Sequence, residues 1–270
     1  MNLAEQISKA KVGPGQVALF WLGQAGFLLK DSQGHQFVID PYLTDCGERI
    51  KGFKRLTPKL LAPADLRPDL YFVTHSHFDH YDYDAIPIVA KHSQALFCGP
   101  KSCVDLFKSA GLPNDRLKEL APGQTLIHHG IEITATKADH GQLAPDALGL
   151  LVTMDSRRFF FSGDTAFNPE IIPAVAALKP EVAAVSINGL FGNMNGEEGA
   201  LLATKIGASL AIPCHFWTFL EHQGAPWTFM ESLKNSPACL PICLSQGEML
   251  ILEKNRAMDS RGRIFNWPVK

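Results

Sequence analysis

No Cys-x-x-Cys pair occurs among the six cysteines, Cys46, Cys98, Cys103, Cys214, Cys239 and Cys243. That removes the thiolate spacing of a zinc ribbon or a thioredoxin-type redox site. Nor does the start show a secretory pattern. Met1 to Ala10 mixes charge with apolar groups and reads as a short amphipathic helix. The thiols are therefore expected to be reduced and buried, and the location cytoplasmic. Long apolar runs are missing too: the stretch from Val17 to Leu29 is broken by Gly23 and Gly26 and is too short to span a bilayer. No membrane partner is expected. There is no excess of one charge. A formal net charge of -2 gives no general attraction for nucleic acid. Disorder is excluded as well, because 46% of residues are hydrophobic and only 19% charged. With no linker or low-complexity segment, residues 1–270 read as one domain.

What is present is an alternation of apolar strands and amphipathic helices. Strands are expected over 17–22, 27–30, 35–39, 70–73, 95–98, 125–128, 131–136, 148–154, 158–161, 182–187, 210–213, 242–245 and 249–252. Helices are expected over 83–91, 101–110, 169–178, 197–207 and 226–234. Hairpins at the start argue for antiparallel sheet. The economical packing is two sheets face to face with helices outside, in the α/β class.

The chemistry concentrates in Thr74-His75-Ser76-His77-Phe78-Asp79-His80. It follows an apolar strand, so His75 and His77 project the same way and can grip one metal ion. Asp79 and His80 come after the chain begins to turn and can face a second ion. Imidazole with carboxylate suits zinc, manganese or iron. Three more stretches place a ligand at a strand end, where loops converge. They hold His140 in Ala-Asp-His-Gly, Asp164 in Ser-Gly-Asp-Thr, and His215 in Ile-Pro-Cys-His. One ion would take His75, His77 and His140, the other Asp79, His80 and His215, with Asp164 as the bridge. His35, His92, His128, His129 and His222 fall in turns or on expected surfaces and are left out of the ligand set; His222, close to His215 in sequence after Trp217-Thr218-Phe219, stays a minor candidate for touching substrate.

Residues 46–58 carry Arg49, Lys51, Lys54 and Arg55 among few acids. They read as a solvated loop or as a flap offering cations to an anionic substrate. Asn193 and Trp217 are further substrate candidates. Asn195 with Glu198 reads as a helix cap that also offers backbone amides to an anion.

His-x-His-x-Asp-His, a later His, Ser-Gly-Asp and a final His together resemble the metallo-β-lactamase superfamily pattern. Trp21-Leu22-Gly23-Gln24-Ala25-Gly26-Phe27, Gly99-Pro100-Lys101-Ser102-Cys103 and Phe265-Asn266-Trp267-Pro268 are similar to its L-ascorbate-6-phosphate lactonase (UlaG-like) branch. The resemblance implies a four-layer αβ/βα sandwich and one or two ions, zinc or manganese. It also implies hydrolysis of a strained or activated ester. The expected enzyme uses a metal-bridging hydroxide to open a lactone or related ester, phosphorylated or not. Asp79 and His80 are its catalytic residues, and the substrate is small and anionic or polar. Three rivals are weaker. A phosphodiesterase or nuclease on the same fold would want a basic arm. An oxygen-reducing oxidoreductase would want more carboxylates and a flavin domain. A non-catalytic metal-stabilised binding protein would not need an intact ligand set. A homo-oligomer remains compatible with the sequence.

Overall fold

The chain is described over residues 2–267 in a computed structural model, so Pro268 of the C-terminal motif lies outside the described residues. Among the described residues, sixteen strands form one sheet of nine and one of seven. In the first sheet, Val17–Gly23, Gly26–Lys30 and Gln36–Ile39 run antiparallel, and Leu70–Phe72, Leu96–Gly99 and Leu117–Glu119 continue in parallel on one side. Met249–Glu253, Arg256–Asp259 and Ile264–Asn266 extend the other side antiparallel. In the second sheet, Thr125–His128, Ile131–Lys137, Leu148–Met154 and Arg157–Phe161 are antiparallel, then Val182–Ser186, Leu210–Cys214 and Leu240–Pro241 are parallel.

The first strand shows why the pattern reads as a continuous apolar run. Val17, Leu19 and Trp21 face the core between the sheets, while Ala18, Phe20 and Leu22 face the outer core. A strand covered on both faces has no polar side to alternate with. The helices Leu3–Lys9, Ala85–His92 and Lys101–Ser109 supply that outer cover through Leu3, Ile86, Val104 and Phe107. Gly196–Lys205 and Pro226–Leu233 pack on the second sheet. Among the described residues, no helix is long and apolar enough to cross a membrane.

Several elements depart from expectation. Residues 46–58 are not all loop: Cys46–Lys51 is helical and ends at left-handed Gly52. The helix expected over 169–178 covers only Ile172–Ala177. Leu240–Pro241, not 242–245, pairs with the strand at Leu210. Leu117–Glu119, Arg256–Asp259 and Ile264–Asn266 were not expected; short or exposed edge strands carry little apolar signal. The first sheet is mixed, because helix-bearing crossovers return its later strands in parallel. The cysteines are free thiols, and Cys243 is exposed rather than buried.

Candidate metal centre

Four loops converge at one rim. His75, His77, Asp79 and His80 follow Leu70–Phe72, His140 follows Ile131–Lys137, Asp164 follows Arg157–Phe161, and His215 follows Leu210–Cys214. Each lies beyond the C-terminal end of its strand. The turn after His77 closes when His80 N and Tyr81 N both donate to its carbonyl. That turn parts Asp79 and His80 from the first two histidines. Before Asp164, Gly163 sits at φ +58, and a side chain there would strike the Leu148 carbonyl at 2.6 Å. Only glycine lets the strand turn so sharply there.

Two trios result. His75 Nε2 lies 2.9 Å from His77 Nδ1, and His140 Nε2 lies 3.3 Å from the same atom. His80 Nε2 and His215 Nε2 are 3.0 Å apart, and Asp79 Oδ2 is 3.2 Å from His215 Nε2. Asp164 stands between them. Its Oδ1 is 3.2 Å from His80 and 3.3 Å from His215, while its Oδ2 is 3.8 Å from His140 and 4.0 Å from His75.

The residues fit a metal. Two ligands each about 2.0–2.1 Å from one ion stand roughly 3 Å apart, as the closest donor pairs within each trio do. Asp164 Oδ1 is buried with no hydrogen-bond partner in the protein. Asp40 fixes the His80 tautomer: its carboxylate can only accept, so His80 Nδ1 carries the proton across 2.7 Å. When the ring is neutral, His80 Nε2 is then left as a lone pair facing the centre, where an ion could take it while Asp40 holds the ring from behind.

Residues 35–216 match the family described as Beta-lactamase superfamily domain. The chain belongs to the beta-lactamase superfamily. It is 30% identical to a "UPF0173 metal-dependent hydrolase" of Thermoplasma acidophilum over 74% of this chain and 84% of that one. A "Probable L-ascorbate-6-phosphate lactonase UlaG" of Shigella boydii is 26% identical over 83% of this chain and 76% of its own. The structure of Igni18, a metallo hydrolase from Ignicoccus hospitalis, superposes with a TM-score of 0.71 at 22% identity, covering 88% and 99% of the two chains. The expected metallo-β-lactamase fold and kinship are thus shown, and the chain is a metal-dependent hydrolase of this superfamily whose His/Asp clusters can hold metal.

Within this superfamily site the electrostatics favour a buried cation. Burial opposes a charge on His80, yet Asp164, Asp40 and Asp79 outweigh it and hold its pKa well above the ordinary value. Burial alone would push the Asp79 and Asp164 carboxyls up. The imidazoles around them, His80 and His215 foremost, overcome that and hold both well below the carboxylate range. His75 is pushed well down by burial and then by His80, so it stays a neutral donor.

The sequence passed over three supports. Asp40 also accepts from Thr74 N at 2.8 Å and Thr74 Oγ1 at 2.6 Å. Gln24 is buried at φ 53, and its Nε2 lies 2.7 Å from Asp79 Oδ2, 3.1 Å from His222 Nδ1 and 3.2 Å from His215 Nε2. An amide nitrogen has two hydrogens. Giving them to Asp79 and His222 Nδ1 leaves His215 Nε2 free for a metal and puts the His222 proton on Nε2. His222 is therefore no surface residue: it is 5% exposed, stacks on His215 at 4.7 Å and lines the cavity over the centre. Its nearness to His215 in the chain was the one signal of this, and nothing local showed that the turn folds it back onto that ring.

The proposed substrate contacts fare differently. That cavity, about 350 Å³, is lined by Lys51 but not by Arg49, Lys54, Arg55, Asn193 or Trp217. Arg49 is exposed and bound to Asp84. Lys54 is exposed. Arg55 points inward and donates to the Tyr42 and Thr44 carbonyls, both at 2.8 Å, because a buried guanidinium must find acceptors. Asn193 is buried and donates to Asp164 Oδ2 at 2.7 Å, so it positions that carboxylate. Trp217 is half exposed, with its indole N–H on the Gly224 carbonyl. At the start of Gly196–Lys205 the Asn195–Glu198 capping box takes up the Asn195 and Glu198 amides.

Proposed function

We propose that the chain hydrolyses a lactone or related carboxylic ester with two divalent ions, zinc or manganese. The observation that carries this is Asp164, whose two oxygens face separate trios beside the cavity. His75, His77 and His140 would hold one ion, Asp79, His80 and His215 the other. Such a pair supplies Lewis acidity and an activated water at neutral pH. The chain's own groups do the rest. Gln24 fixes Asp79, which orients the water and takes its proton. Asp40 keeps His80 in one tautomer. Phe53 and Phe78 line the cavity over the centre and make its wall apolar. No serine or cysteine nucleophile is needed, and Ser76 is a spacer between ligands. Five buried free thiols support a reducing, cytoplasmic setting.

A second reading, a phosphorylated lactone, is favoured by Lys51 on the cavity wall. The test is a hydrolysis screen of lactones, phosphorylated lactones and phosphodiesters with Zn and Mn separately. Turnover of a lactone or ester is expected; cleavage of phosphodiesters alone would overturn the reading.

A further inference from the structure

We propose that the cavity over the metal centre takes a neutral ester or lactone with an apolar acyl or ring body, gripped by Phe53, Phe78 and Phe191. This rests on the ester-hydrolase reading and narrows it. Three phenylalanines and Leu143 line the cavity against a single cation, Lys51, which is exposed. Phe53 is the centre of the wall. Its ring meets Phe78 edge-on at 5.4 Å, Phe219 at 5.9 Å and His222 at 6.2 Å, and tilts against Phe191 at 6.3 Å.

The wall is built, not draped. A side chain at Gly47 would strike the Phe78 ring at 2.6 Å, so the helix before Phe53 is fitted to that ring. Phe53 N donates to the Gly47 carbonyl, and Leu56 N donates to the Thr218 carbonyl. The segment is thereby tied to the loop after His215. At the mouth, Phe191 is 48% and Leu143 57% exposed, and Phe191 is held at φ 55. Large apolar side chains left in water at a site entrance favour an apolar ligand that covers them.

A phosphate or second carboxylate needs converging cations or N–H donors. Here Arg49 and Arg55 are spent elsewhere, on Asp84 and on backbone carbonyls. What the wall does offer is neutral. Asn188 lines the cavity, is 1% exposed, and its Nδ2 has no partner in the protein. That amide suits a carbonyl or ester oxygen.

The experiment uses the full chain loaded with Zn or Mn. It compares 4-nitrophenyl hexanoate with the acetate in kcat/KM, and hexanohydroxamate with acetohydroxamate in calorimetric Kd. Longer chains are expected to win by at least about tenfold in both ratios. Phe191→Ala, at a half-exposed position that does not threaten folding, and Phe53→Ala should bring the hydroxamate ratio toward one. Phe53→Leu should restore it. Ratios near one in the wild type, or a phosphorylated lactone preferred over its neutral parent, would overturn the inference. A preserved hydroxamate ratio without any ester turnover supports the apolar cavity and instead removes the ester-hydrolase reading.

Discussion

His75, His77 and His140 meet as three imidazoles, whereas His80 and His215 share their trio with a carboxylate. The supports differ as well. Behind the second trio stand Asp40 on His80 and Gln24 on Asp79, both buried. His77, in the first trio, is only half-buried, and its outer nitrogen reaches just a loop carbonyl, Leu143 O, at 3.2 Å. A trio with its own negative charge and rigid supports should bind a divalent cation more tightly than a neutral one with a half-buried member. The centre thus reads as one anchored position and one exchangeable position, joined by Asp164.

Asp164→Ala cuts that joint and should have the largest effect. Both positions lose a ligand, so metal content falls well below two per chain, and kcat/KM drops by more than about 100-fold. Elemental analysis with single-substrate kinetics checks it; near-native activity with full metal would remove the bridge. His77→Ala sharpens the contrast. It should release the first ion, retain the second, abolish turnover and leave the far-ultraviolet circular dichroism unchanged. Loss of both ions together would show that the trios do not differ as argued. Asp40→Asn tests the anchored side alone. It should weaken the tighter metal site by about 10–100-fold, read by competition with a chelator, because an amide no longer enforces the His80 tautomer. If only the weaker site responds, the assignment of tight and loose is reversed.

The candidate ligands were legible as a cluster because each sits at the end of an apolar strand, and because His75, His77, Asp79 and His80 crowd into six residues. Their supports were not. Gln24 lies in Gly-Gln-Ala-Gly, which reads only as a tight bend, and nothing local says that its side chain turns inward to Asp79. Asp40 precedes proline and reads as a strand end. Arg55 shows the limit from the other side. Its charge suggested a substrate contact, but sequence does not give the direction of a side chain, and this one serves Tyr42 and Thr44. The two-sheet packing was legible from hairpins and crossovers. The short strands Leu117–Glu119, Leu240–Pro241 and Ile264–Asn266 were not, since two or three residues carry no period.

The smallest effect concerns His222, beside the anchored trio. Burial, then His215, lower its pKa to about 4, against the ordinary 6.5, in the metal-free protein. Above pH 6.5 the ring is neutral whether the chain is folded or not, so it contributes nothing to the pH dependence. Below that, the unfolded chain takes up a proton that the folded chain refuses, and stability falls as pH falls. From pH 6.5 to 5 this amounts to about 1.5 kcal/mol. His222→Gln keeps an oxygen for Gln24 to donate to and removes the titration. Urea unfolding of the metal-free pair should therefore show the wild type losing more stability in acid than the variant, with the gap closing above pH 6.5. Parallel curves would mean that water reaches His222, and that the second trio is no better enclosed than the first.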